Sequence, residues 1–297
     1  MDYAYILYET VDDGSIANIT LNRPKQRNAQ NRGLLIELDD AFMRAEADDK
    51  VRVVILKAAG TAFSAGHDMG SSASLQERLP GPEQHESFQE RGGTKGVVES
   101  TYVQEWHYFF NNTRRWRDLR KITIASVQGP VYSAGLMLMW ACDLIVADPT
   151  AVFADVVGTR LGMCGVEYFG HPWEFGHRKA KELLLTGDSL DVEEAYRLGM
   201  VTKVFPEGRL EEDTLTFARR IAKVPSAAAL MIKESVNQAQ DNQGFYNSLQ
   251  AAFTLHELNH AHWASISEDK IIVQTEETGG PGWTAAPPSR FAEKSKP

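Results

Sequence analysis

The chain has 297 residues, enough for one large domain or one domain with an appendage, and its hydrophobic fraction of 43% is ordinary for a globular protein. Its net charge of −9 comes from 31 basic and 40 acidic residues, which argues against a nucleic-acid surface. The two cysteines, Cys142 and Cys164, are expected to be free thiols. The chain start lacks the pattern of a signal peptide, and the longest apolar stretch is interrupted by Asp143, so we expect a cytoplasmic protein.

Strand patterns dominate the first half of the chain, and helical patterns dominate the second half. Apolar and β-branched runs predict strands at 4–9, 15–21, 50–57, 122–127, 143–147, 151–154 and 200–205. Apolar residues at helical spacing predict helices at 31–48, 134–141, 209–223, 226–239 and 244–263, and another through Trp106 and Trp116. In Asp191-Val192-Glu193-Glu194 we read a capping box that opens a helix ending near Gly199. The fold class is therefore α/β with a helical carboxyl-terminal part.

These patterns divide the chain into a core, a helical region and a tail. The core is expected over residues 1–205, and the helical region over 206–264. Residues 69–101 are rich in Ser, Gly, Gln and Glu, which predicts a variable loop, either a lid or a surface insertion. Residues 265–297 contain Gly- and Pro-rich stretches and are expected to form an extended tail.

Two Ser-Ala-Gly turns each follow a predicted apolar strand. The first is Ser64-Ala65-Gly66, and the second is Ser133-Ala134-Gly135. Small residues at a strand end leave backbone N–H groups uncovered, so a ligand oxygen can approach them closely. Two such turns could place two N–H donors on one oxygen, which stabilises an oxyanion without a charged side chain.

Four motifs, two of which contain these turns, together resemble the crotonase, or enoyl-CoA hydratase/isomerase, superfamily. The motifs are Ile19-Thr20-Leu21-Asn22-Arg23-Pro24 with Asn28-Ala29, Phe63-Ser64-Ala65-Gly66-His67-Asp68, Gln128-Gly129 through Cys142-Asp143, and Lys181 to Gly187 followed by Ala195 through Val201. The resemblance implies a spiral of ββα units whose carboxyl-terminal helices mediate trimers, often paired into hexamers. It also implies a coenzyme A thioester as substrate, with no separate cofactor and no metal.

The resemblance assigns the oxyanion donors to the backbone N–H groups of His67 and Ala134. The physical reading agrees for Ala134, because free N–H groups at a helix start favour negative charge. Lys25 and Arg27 are candidate partners for the coenzyme phosphates.

Three residues of the first turn are further candidates for coenzyme binding. They are Ser64, Ala65 and Asp68, and Asp68 also suits a cap on the turn that follows it.

The glutamate pair that hydratases of this family use does not fit the sequence. The corresponding positions hold Met137 and either Val157 or Gly158, none of which can transfer a proton. We therefore expect isomerisation or another lyase step, with Glu167 as the candidate general base and Asp155 as a second candidate.

Three histidines outside these motifs suggest other roles. His171 either lines the acyl pocket or packs in the core. The run from His256 to His260, with Glu257 inside it, matches the zinc-protease pattern of two histidines one helical turn apart. A metalloprotease is thus a remote alternative, but we interpret the run as a polar helix at a subunit interface. A non-catalytic protein that binds acyl-CoA is a further alternative.

Overall fold

The computed structural model describes residues 2–72 and 97–266. Its strands are β1 (Ile6–Val11), β2 (Ile16–Leu21), β3 (Val53–Ala58), β4 (Ile122–Val127), β5 (Pro130–Tyr132), β6 (Leu144–Ala147), β7 (Val152–Ala154), β8 (Leu190–Asp191) and β9 (Lys203–Val204). They form a six-stranded sheet in the order β1-β2-β3-β4-β6-β9 and a three-stranded sheet in the order β5-β7-β8.

The larger sheet is parallel except at its first pair, where β1 and β2 form the expected antiparallel hairpin. Its central strands carry continuous apolar runs because both faces are covered. Strand β3, for example, is buried from Val53 to Leu56. The smaller sheet pairs β5 with β7 in parallel and β7 with β8 in antiparallel.

Helices occur throughout the described residues and predominate after β7. They are α1 (Arg32–Ala47), α2 (Val97–Gln104), α3 (Asn112–Arg117), α4 (Ala134–Trp140), α5 (Val157–Leu161), α6 (His171–Phe175), α7 (His177–Thr186), α8 (Val192–Leu198), α9 (Leu210–Ala222), α10 (Ser226–Asn242) and α11 (Phe245–Ile266). Between α2 and α3, residues Glu105–Asn111 form a π-helical segment. This mixed α/β architecture with a helical carboxyl-terminal region is the one that the sequence predicts.

A buried ion pair attaches the helical region to the large sheet. Lys233 of α10 donates to Asp143 Oδ2 and to the carbonyl of Lys121, both at 3.0 Å. Asp143 also accepts the N–H of Thr123 at 2.8 Å. Both charged side chains are largely buried, so each depends on the other for compensation of its charge.

The local boundaries differ from the sequence-based ones in a few places. The strand predicted at 200–205 is regular only over Lys203–Val204, at the edge of the sheet beside β6. The capping prediction holds at its first residue, because Asp191 accepts the N–H of Glu194 at 2.9 Å. Glu194 itself pairs with Arg197 rather than reaching back to the cap.

Part of the predicted loop at 69–101 and most of the predicted tail at 265–297 lie outside the described residues. Where the structure describes the loop segment, its end is helical, since α2 begins at Val97 and packs against α11. In the described part of the chain, no helix is long and apolar enough to cross a membrane.

Candidate active site

A cavity of about 300 Å³ lies beside the two Ser-Ala-Gly turns. Its wall includes residues from both turns, from the segment around Glu167, from the π-helical segment and from α11. They include Arg27, Ala65, His67, Glu105, Ser133, Val157, Glu167, His256 and His260. A mostly apolar hollow with a few converging polar groups is the usual form of a small-molecule site.

The two turns are held against each other by main-chain contacts. The N–H of Tyr132 donates to the carbonyl of Ser64 at 2.9 Å, so β5 runs beside the first turn. Gly66 has a φ of +90°, and a Cβ built on it would lie only 3.3 Å from the nitrogen of Ala134. A side chain at position 66 would therefore intrude between the turns, which explains the glycine.

The two amides that the sequence proposes as oxyanion donors are both available. Ala134 is the first residue of α4, where an N–H has no partner within the helix. Across residues 2–72 and 97–266, neither the N–H of His67 nor that of Ala134 donates to a backbone carbonyl outside the regular elements. An oxygen placed between the turns would find free donors and the positive end of a helix.

Glu167 lies in the cavity wall with an imidazole near each of its carboxylate oxygens. His67 Nε2 is 3.1 Å from Glu167 Oε2, and His256 Nε2 is 3.6 Å from Glu167 Oε1. The side chain is only 4% exposed. The structure thus brings together Glu167 and His67, which are 100 residues apart in sequence.

The second candidate base, Asp155, and the ambiguous His171 form a buried pair behind Glu167. Asp155 Oδ2 lies 2.9 Å from His171 Nε2, and it accepts the N–H of Val166, the residue before Glu167, at 3.2 Å. Burial by itself raises the pKa of Asp155, but His171 and nearby N–H groups lower it by a larger amount. The net shift of this pKa is therefore downward. Neither residue is among those that line the cavity. Asp155 is thus bonded to the main chain next to Glu167, and His171 packs in the core.

The π-helical segment supplies two more groups at the site. Glu105, at its start, enters the cavity wall. The ring of Phe109 stacks on that of His67, with centroids 3.8 Å apart, and holds the imidazole toward Glu167. Short π-helical segments within α-helices are frequent at functional sites, because they redirect side chains.

The histidines of α11 also face the cavity. His256 is 3% exposed and His260 is 7% exposed within a single chain. Both histidines therefore lie on the cavity side of α11. The interpretation of α11 as a helix at a subunit interface stays a prediction. The i, i+4 spacing places both rings on the buried side of the helix, where they meet Glu105 from the π-helical segment.

The charges in this cluster perturb one another strongly. Burial tends to raise the pKa of Glu105, but His256 and His260 outweigh it and bring the pKa well below its usual range. Burial tends to lower the pKa of His256, but Glu105, Cys164 and Glu167 raise it well above normal.

The pKa of Glu257 shifts in the opposite direction from that of Glu105. Burial, followed by the negative charge of Glu105, raises the pKa of Glu257 to about 9. Neither of its carboxylate oxygens accepts a hydrogen bond from the described residues. This upward shift favours the neutral acid, whereas a zinc-protease motif needs an ionised base.

The candidates for coenzyme binding are distributed around the cavity mouth. Arg27 and Ala65 line it, whereas Lys25 is exposed nearby on the same loop. Ser64 donates to the carbonyl of Asn28 at 2.9 Å, and its side chain is occupied in holding the turn.

Asp68 caps the turn that follows it. It accepts the N–H of Ser71 at 2.9 Å and pairs with Arg23 at 2.8 Å. A part for Asp68 in coenzyme binding stays a prediction.

The sequence patterns did not identify Glu105 as a site residue, and they did not place His256 and His260 in the cavity wall. One signal was available for Glu105, which is the only acid in the aromatic run Glu105-Trp106-His107-Tyr108-Phe109-Phe110. An isolated carboxylate on an otherwise apolar helix is costly unless it has a buried partner. The partner itself lies about 150 positions away in sequence and is not visible from the pattern.

Comparisons with known proteins identify the family of the chain. A family model described as enoyl-CoA hydratase/isomerase matches residues 12–90 and 87–284. A putative enoyl-CoA hydratase of Mycobacterium tuberculosis, EchA13, is 64% identical over 296 residues, covering 100% of this chain and 93% of that protein. A probable enoyl-CoA hydratase from Mycobacterium thermoresistibile superposes with a TM-score of 0.80 at 42% identity, covering 90% of this chain and 99% of that one.

One relative carries the name of a different reaction. A 4-chlorobenzoyl coenzyme A dehalogenase of an Arthrobacter species is 29% identical over 224 residues, covering 75% of each protein.

Proposed function

Because the chain belongs to the enoyl-CoA hydratase/isomerase family and is an enzyme of that type, we propose that it moves a proton on the acyl group of a coenzyme A thioester. The N–H groups of His67 and Ala134 hold the thioester oxygen, and Glu167 exchanges the proton with carbon. When that proton leaves the carbon next to the thioester, negative charge develops on the oxygen. Two fixed donors at this oxygen stabilise the charge in the transition state.

The position of Glu167 is the observation that carries the proposal. Its carboxylate is buried in the cavity wall, and His67 lies on one side and His256 on the other. A base for a carbon acid needs this combination of reach and shielding from water.

The rest of the cavity favours isomerisation over water addition by two glutamates. The positions where hydratases of the family carry that pair hold Met137 and Val157 or Gly158, and Val157 lines the cavity. One proton carrier is sufficient to move a double bond, because the same carboxylate can take a proton from one carbon and deliver it to another.

The coenzyme is expected to enter past Arg27, with Lys25 as a second cation for its phosphates.

We also expect a homo-oligomer, a trimer or a hexamer, formed through the last two helices. These helices expose large apolar side chains at Met231, Ile232, Val236, Leu255 and Leu258. Exposed apolar patches of this kind mark protein interfaces. A cytoplasmic location stays a prediction.

A panel of 2-enoyl- and 3-enoyl-CoA thioesters of increasing chain length tests the proposal. Mass spectrometry separates the outcomes, because isomerisation leaves the mass unchanged and hydration adds one water. We expect an isomerised product from at least one thioester. Tight binding of the panel without any product, and without exchange of the acyl protons in D₂O, would instead support the non-catalytic alternative and overturn the proposal.

A further inference from the structure

The wall of the cavity holds a cluster of electron-pair donors that the proposed proton transfer does not use. Glu105 Oε2 lies 3.0 Å from His256 Nε2, and Glu105 Oε1 lies 3.1 Å from His260 Nε2. The two imidazole Nε2 atoms are themselves only 3.2 Å apart. Three side chains from two separate segments of the chain therefore bring their ligand atoms together.

The orientation of His256 determines which of its ring nitrogens faces Glu105 and His260. Its Nδ1 is 2.8 Å from the carbonyl of Gly165, and a carbonyl can only accept, so Nδ1 carries a proton and donates it. In the neutral ring Nε2 then carries the lone pair, 3.0 Å from Glu105 Oε2 and 3.2 Å from His260 Nε2. A carbonyl that orients the outer nitrogen of a histidine in this way is the usual support for a metal ligand.

The carboxylate of Glu105 is buried against the two imidazoles. Its Oε2 lies 3.0 Å from His256 Nε2, yet the two atoms form no well-aligned hydrogen bond. Burying such an oxygen is costly unless a positive charge compensates it.

We propose that Glu105, His256 and His260 bind a divalent transition-metal ion, with zinc as the preferred occupant. Two imidazoles and one carboxylate are a ligand set that zinc uses in sites that keep a position open. In a tetrahedral site the ligand atoms lie about 3.3 Å apart, because zinc–nitrogen bonds are about 2.0–2.1 Å long. The observed separations need to widen by only a few tenths of an ångström to admit the ion.

The two imidazole nitrogens of the cluster disfavour hard cations such as magnesium and calcium. Imidazole nitrogens suit zinc, copper, iron and nickel, whereas magnesium and calcium prefer oxygen ligands and several waters. All three ligating residues line the cavity, so the ion would lie in its wall on the same side as Glu167. The site does not depend on the proposed proton transfer, and it is tested by binding rather than by turnover.

The experiment measures metal content and affinity on the full chain without a histidine tag. After removal of metal with a chelator, the protein is titrated with zinc by calorimetry, and with cobalt while its visible absorption is recorded. We expect one equivalent of zinc per chain, and a cobalt spectrum typical of four or five nitrogen and oxygen ligands. Magnesium added alone should not bind.

Three variants locate the site. Glu105→Gln and His260→Gln should each weaken zinc binding by at least about a hundredfold, since even changes behind the ligands cost about 10–100-fold. His262→Gln is the matched control, because His262 is exposed on the same helix and does not line the cavity. Zinc affinity should be unchanged in this control.

Circular dichroism confirms that each variant is folded, and the cobalt spectrum of the unmodified protein provides a test that needs no variant. The proposal is overturned if the unmodified chain binds no stoichiometric zinc. It is also overturned if His262→Gln weakens binding as much as the two ligand variants do.

Discussion

Replacing Glu167 by Gln removes the proposed base while keeping the shape of its side chain. Glutamine can still occupy the buried position between His67 and His256, but its amide cannot accept a proton from carbon. The substitution therefore acts on proton transfer and leaves the cavity and the two turns in place.

The expected size of the effect follows from the surroundings of the carboxylate. Positioned general bases contribute about 10²–10⁴ in rate, or roughly 3–5 kcal/mol of barrier. The other carboxylate that lines the cavity, Glu105, is engaged by His256 and His260, so it offers no direct substitute. We expect kcat to fall by at least about a hundredfold, with the affinity for the coenzyme changed only a few-fold.

Exchange of acyl protons in D₂O, followed by mass spectrometry, measures this step directly, and turnover of the preferred thioester measures its consequence. Glu174→Gln is the matched control, because Glu174 lies in α6 and does not line the cavity. Exchange within a factor of about three of the unmodified enzyme would refute the role of Glu167 as the base. A variant that loses binding instead of exchange would assign Glu167 to positioning the ligand.

Other consequences of the structure can be measured in parallel. Gly66→Ala should lower kcat by about a hundredfold, because the new Cβ would lie 2.8 Å from a main-chain oxygen and displace the adjacent donor. Gly70→Ala should have no such effect, because among the described residues nothing beyond its chain neighbours lies within 4 Å of a Cβ built there, and equal activities would contradict the assignment. Lys233→Met should lower the free energy of unfolding by about 3 kcal/mol in urea denaturation, because it leaves a buried carboxylate unpaired, and an unchanged midpoint would argue against that pair. Burial raises the pKa of Asp68, but hydrogen bonds from Ser71 and Arg23 lower it by a larger amount. The pKa of Asp68 in the folded state therefore lies below that in the unfolded state. Its stabilising contribution is therefore present above the ordinary pKa and is lost as the pH falls through the folded pKa, and the Asp68→Asn variant should show a smaller loss of stability over that range.

The order of elements could be predicted from the sequence because it depends on local patterns. The β-branched run of β3 and the apolar stripe of α1 identify themselves within a few residues. The two turns could be found because small residues follow each strand, and the structure places those turns side by side through the contact of Tyr132 with Ser64.

The remainder of the site depends on contacts between distant parts of the chain. No local pattern shows that the π-helical segment aims Glu105 at α11, or that Phe109 stacks on His67. The run from His256 to His260 was visible, but its spacing is compatible with either a solvated or a buried face. Only the packing of α11 against the core decides which face is buried.

The account rests on the thioester oxygen lying between two main-chain amides, with Glu167 close to the reacting carbon. A crystal structure of the protein with a bound acyl-CoA, or with a stable analogue of one, measures these distances directly. We predict that the oxygen lies about 2.7–3.1 Å from the nitrogens of both His67 and Ala134, with a Glu167 oxygen within reach of the adjacent carbon. A ligand whose carbonyl contacts neither amide, or whose acyl chain lies away from Glu167, would contradict the mechanism.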